Sequence, residues 1–151
     1  MNQPTRNTPT RNTAVSRDHR RAGLAAFAAL IAASAYAGAA GLITGGLTLG
    51  AVVTERLPFG SPVLGGLALT LIVAVPSTWL AVLAWRGDPR TSAAALLTGV
   101  LIIGWIVVEY LFIREISFFH PLYLIVGAVL VWIGRHGVRD LTAIVDRQSV
   151  R

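Results

Sequence analysis

Apolar residues in this chain gather into four long runs, and short polar connections between them carry nearly all of the charge. The runs extend over about 22–46, 62–85, 91–113 and 118–134. A helix that crosses a bilayer needs about 20 predominantly apolar residues, with a working range of roughly 17–25. Each run is long enough, the fourth at the short end. None shows the strict alternation of a half-buried strand, and each is far longer than a strand. The pattern predicts an all-α fold, a polytopic transmembrane four-helix bundle over residues 17–136.

Outside the runs the character changes. Residues 1–16 are polar, hold Pro4 and Pro9 and repeat Thr-Arg-Asn-Thr without periodicity, as a disordered tail does. After the fourth run, Val138, Leu141, Ile144 and Val145 recur at helical spacing among Arg139, Asp140, Asp146 and Arg147. That spacing predicts a short amphipathic tail helix over 137–151, lying on the membrane surface. The 47–61 connection is long and apolar, and Pro58, Gly60 and Pro62 stop a helix from running through it. It is expected to fold back on the bundle or lie in the interface.

The basic residues set an orientation. All 13 are arginine, and eleven of them fall before the first run, between the second and third, or after the fourth. The other side has only Arg56 and Arg114, each beside an acid, Glu55 and Glu115. This asymmetry puts both termini in the cytoplasm. A chain rich in Ala, Gly and Val and without lysine fits a GC-rich bacterial genome, hence a multi-pass protein of the bacterial inner (cell) membrane. A second reading of the first run is a signal peptide, with Ala35-Tyr36-Ala37 as its cleavage site. The apolar character continues through Ile43, which favours a spanning helix.

Composition narrows the function. Of 151 residues 54% are hydrophobic and 13% charged, against about 25% charged in a soluble domain. The net charge is +6, yet the arginines flank apolar runs and form no stripe with interleaved aromatics, so nucleic acid is not an expected partner. With no cysteine, disulfides, thiolate metal sites and a cysteine nucleophile are excluded. There is no G-x-S-x-G, phosphate-binding glycine loop or H-E-x-x-H, so neither an enzyme nor a cofactor is expected.

Three features invite closer reading. Ala33, Ala37, Gly41 and Gly45 recur every fourth residue of the first run, with Ser34 and Gly38 on the adjacent row. Such small-residue rows let helices approach closely in lipid, and the row is expected to pack inside the bundle, the alternative being a homo-oligomer seam. Pro76 interrupts the second run and frees a carbonyl that Ser77, Thr78 or a neighbouring helix could satisfy. Glu109 is a carboxylate inside the third run, where a charge is costly and usually has a partner or a task.

Glu109 lies only about 6 Å from the outer end of its helix at 1.5 Å per residue, so its cost is well below the midplane value. Arg114, five residues on, is roughly 140° away round the helix and is no natural helical partner. Arg56 and His120 from neighbouring segments are equal candidates. With Glu55, Glu115 and Arg114 they make an outer-face polar cluster of Glu55, Arg56, Glu109, Arg114, Glu115 and His120. No His-x-x-His or Glu-x-x-His spacing marks a metal site among them. Ser117 is placed to cap the fourth helix and Pro121 to occupy its first turn.

The stretches Glu55-Arg56-Leu57-Pro58-Phe59-Gly60-Ser61-Pro62-Val63 and Gly104-Trp105-Ile106-Val107-Val108-Glu109 resemble those of small four-helix integral membrane proteins of actinobacteria. The resemblance extends through Ile113–Ser117 and Pro121-Leu122-Tyr123 and covers roughly residues 37–134. That family is uncharacterised, so it implies topology and no activity, ligand or site. The expected function is therefore non-catalytic: an accessory or interaction subunit whose partners are the lipid bilayer and a membrane protein or a second copy of the chain. The alternative is a small oligomeric transporter or proton-coupled carrier with Glu109 as its titrating group.

Overall fold

The structure is a computed structural model that describes the main chain of residues 11–47, 61–113 and 119–149, and the side chains of 19–47, 61–111 and 120–137. Its regular elements are four helices: α1 (Arg11–Thr44), α2 (Pro62–Arg86), α3 (Thr91–Ile113) and α4 (Phe119–Ser149). The fold is all-α, as the hydrophobic pattern implies. Three helices are long and apolar enough to cross a membrane, over His19–Thr44, Pro62–Arg86 and Thr91–Leu111. These are the spans found among the described residues, which include the side chains of α4 only from 120 to 137.

Two boundaries differ from expectation. α1 begins at Arg11, inside the tail expected to be disordered as far as Ser16. Once an apolar helix is formed, each added residue gains a hydrogen bond without a new nucleation cost, and no proline follows Pro9 to stop it. α4 likewise continues to Ser149, so the amphipathic segment is an extension of the fourth helix and not a separate element. No proline after Pro121 interrupts it.

The short connections follow turn chemistry. Ser61 caps α2, its hydroxyl accepting from Leu64 N–H at 3.4 Å, with Pro62 at the first helical position. α2 ends at Gly87, whose φ of 67° is the left-handed conformation that glycine adopts freely. Asp88 then ties the turn into α3: its carboxylate accepts from Arg90 N–H at 2.8 Å, and its carbonyl from Thr91 Oγ1 at 2.6 Å and Thr91 N–H at 3.1 Å.

Small residues fill the interior and large ones face out. Ala28, Ala35, Ala74, Ala94 and Ala95 belong to the core with Ile102, Leu80 and Leu130. By contrast Leu30, Leu71, Trp85, Leu111, Ile125 and Trp132 are between 63% and 78% exposed. Leaving six such side chains in water would forgo on the order of 10 kcal/mol of burial, at about 1.5–3 kcal/mol each. That is comparable with a whole domain's stability. Lipid removes the penalty, and the small interior is what close helix packing in lipid requires.

Pro76 is accommodated in α2 by a widened turn. Thr70–Ala74 is π-helical, and Val75 N–H donates to Thr70 O five residues back. Proline has no N–H to give and its ring collides with the carbonyl four residues earlier; a π-turn just before it relaxes that collision. Thr78 Oγ1 donates to Ala74 O at 2.9 Å, and Thr98 Oγ1 reaches from α3 to Pro76 O at 3.3 Å.

The packing rows are not those expected. α1 packs on α2 through Ala25, Ala28, Ala32, Ala35 and Ala39, whereas Ala33 and Ala37 are exposed. Gly41 contacts Leu47 just past the end of its own helix, and Gly45 is left-handed there, so Ala33, Ala37, Gly41 and Gly45 do not form the intramolecular seam. The neighbouring alanine row lies beside Ile31 and meets Gly66, which a Cβ would bring to 2.9 Å from Ala39 O. The tightest seam joins α3 to α4. Leu96, Gly99 and Ile103 of α3 meet Gly134, Val131 and Gly127 of α4, and Gly137 meets Ser92. Pairs run in opposite directions along the chain, which makes the helices antiparallel. Ser92, Leu96, Gly99, Ile103, Ile106 and Tyr110 recur by fours and threes, the seam spacing of paired helices.

Candidate functional site

Glu109 and His120 come together where that seam reaches the α3–α4 connection. α3 continues unbroken past Glu109 to Ile113, and α4 begins at Phe119, so the last turns of one lie against the first turn of the other. Tyr110, the final seam residue of α3, meets the His120 ring edge-on, with centroids 6.4 Å apart and planes at 79°. His120 is buried, at 8% exposure, and Glu109 is half-buried. Glu109 lies within electrostatic reach of His120, an attraction smaller than the cost of burying its charge. Pro121 lies in the first turn of α4, where its missing N–H loses no hydrogen bond.

Of the expected outer cluster, the described residues hold Glu109 and His120, within electrostatic reach of one another. Glu55, Arg56, Arg114 and Glu115 lie outside the described residues, as do Ser117 and most of the 47–61 connection. Among the described residues, no three His, Cys, Asp or Glu side chains come together in a metal-binding group.

Between the two ends the polar content of the core is slight. Ser77 and Thr98 are buried completely. Thr98 has its bond to Pro76 O, while Ser77 Oγ has no hydrogen-bond partner among the described residues. Across the bundle, Ser34 Oγ and Tyr123 Oη share a hydrogen bond of 3.0 Å that ties α1 to α4, and Ser34 Oγ also bonds Ile31 O at 2.8 Å.

The residues that the pattern of the sequence missed are Gly99, Gly127, Gly134 and Gly137. A signal for them exists: Gly127, Leu130, Gly134 and Gly137 are spaced three, four and three apart, with Leu130 wholly buried. Their partners on α3 obey the same rhythm.

These features define a helical membrane protein whose described interior is apolar apart from Glu109, His120 and a few hydroxyls. Compared with protein-family models, curated proteins and solved structures, the chain matches none.

Proposed function

We propose that this is a non-catalytic protein of the bacterial cell membrane, with both termini cytoplasmic and α4 as a fourth span, and that it acts as an interaction subunit. The observation that carries this reading is the placement of half-buried Glu109 and buried His120 at one end of the α3–α4 seam, where Tyr110 meets the His120 ring. An acid held there fixes the end of the bundle and presents a defined polar surface to a partner. The interior supports the same reading, since the described core residues between the two ends offer hydroxyls and no ionisable group to carry a proton or ion onward. Membership of the actinobacterial four-helix family belongs to the same proposal.

The test is extraction in mild detergent after crosslinking in native membranes, comparing the wild-type chain with Glu109→Gln. A stoichiometric partner, lost in the variant while the chain stays folded, is the expected result. A monodisperse chain with no partner in either sample refutes the interaction reading.

A second reading, a small proton-coupled carrier with Glu109 titrating, is favoured by the π-turn and Pro76 in the middle of α2. Irregular turns of this kind often mark moving parts. It requires a pH-dependent flux in proteoliposomes that Glu109→Gln abolishes.

A further inference from the structure

The other end of the bundle, about 28 Å from Glu109 along α3 at 1.5 Å per residue, concentrates positive charge around one turn. Arg86 is the last residue of α2 and Arg90 immediately precedes α3. Arg21 of α1 reaches over this turn: its Nη1 lies 2.7 Å from where a Cβ on Gly87 would stand. Arg21 therefore lies over the backbone of the turn that joins Arg86 to Arg90. Asp88 is the one carboxylate here among the described side chains. One of its oxygens already accepts the Arg90 N–H.

Trp85, adjoining Arg86, is 78% exposed. An outward tryptophan beside arginines is the signature of the headgroup level, with an apolar body in the acyl region and a polar tip toward water. Below it on α2, Val82 is exposed along the same helix. Every cation of the chain is arginine, whose planar fork binds phosphate oxygens in pairs.

We propose that Arg21, Arg86 and Arg90 form a binding site for the phosphate of an anionic phospholipid, with Arg21 lying over Gly87 and Trp85 against the glycerol and upper acyl region. The apolar wall formed by Trp85 and Val82 selects a lipid over a soluble phosphate, because it offers a surface only to a ligand with a hydrocarbon part.

The test uses the full chain in detergent micelles, with phosphatidylglycerol and phosphatidylcholine of matched acyl chains added in turn and lipid retention read by native mass spectrometry. Preferential retention of phosphatidylglycerol is expected. Arg21→Gln and Arg86→Gln should each cut the preference about fivefold, from the usual contribution of one basic side chain at an anionic surface. Arg21→Lys, which keeps the charge and loses the fork, should fall between wild type and Arg21→Gln. Unchanged tryptophan-monitored melting in phosphatidylcholine confirms that the variants are folded. The proposal is overturned if wild type shows no preference or if the glutamine variants retain it. It is equally overturned if millimolar inorganic phosphate displaces the lipid entirely.

Discussion

Replacing Gly134 by alanine tests the α3–α4 seam most directly. A Cβ there would stand 2.5 Å from Leu96 N and 2.7 Å from Leu96 Cβ, and the first of these is backbone that cannot rotate aside. To restore ordinary contact, near 3.4 Å, the two helices must part by roughly 0.9 Å. A gap of about 0.5–1 Å forfeits a quarter to a half of each atom pair's attraction, itself ~0.1–0.2 kcal/mol. Leu130, wholly buried on α4, makes about 40–60 such pairs; with half of them to α3, it alone loses about 1 kcal/mol.

Ile102 and Ile103 face the same gap, which brings the seam cost to about 3 kcal/mol, at the upper end for overpacking. The gain in helix propensity from Gly to Ala, about 0.5–1 kcal/mol, leaves Gly134→Ala destabilised by roughly 2 kcal/mol. Gly104 is the control on α3, because a Cβ there meets nothing within 4 Å. Gly104→Ala should gain about 0.5–1 kcal/mol. Unfolding by increasing mole fraction of dodecyl sulfate in mixed micelles, followed through tryptophan fluorescence, measures both. Equal stability of the two variants would refute the seam.

Other perturbations probe the remaining features. Ser77→Ala removes a buried hydroxyl with no hydrogen-bond partner among the described residues and should be neutral or stabilising by up to about 1 kcal/mol in the same assay. Pro76→Ala restores an N–H and removes the ring collision, so the π-turn should revert to α-helix and amide hydrogen exchange over residues 73–77 should slow. Tyr123→Phe deletes the α1–α4 hydrogen bond to Ser34 and should cost about 0.6 kcal/mol, the usual worth of such a bond in a bilayer. Glu109→Gln keeps the side-chain shape and removes its charge beside His120. A carboxylate beside lipid is costly in itself, so the bundle should stay folded with its stability no lower, and a clear loss would show that Glu109 ties this end of the helices together.

How much of this was legible beforehand follows from what the bilayer demands. The positions of α2 and α3 could be read almost to the residue, because Ser61-Pro62, Gly87 and the Asp88 turn act through local backbone chemistry. The start of α1 and the length of α4 are not legible in the sequence. Polar residues that adjoin an apolar run are silent about whether a helix already begun will continue through them. The nearness of Glu109 to His120 was half legible: an acid in an apolar run announces itself, but only α4 laid antiparallel on α3 brings His120 within its reach, while Arg56 and Arg114 lie outside the described residues. The widened turn before Pro76 was legible only as a disturbance, since proline dictates that the helix must give and not how.

The sequence by itself determined the helical class and the residence in lipid. Runs of this length can satisfy their backbone hydrogen bonds in an apolar medium only as helices or as closed barrels, and these runs lack a barrel's alternation. Only the tertiary structure decided which face of each helix is inside. In water that choice is written as polar against apolar, but here both faces are apolar and α1 has small residues on nearly every side. The buried row is chosen by shape: the alanines through Ala39 fit against Gly66, and Gly127, Gly134 and Gly137 admit Ile103, Leu96 and Ser92. Contacts of that kind depend on two helices at once, so no single run encodes them.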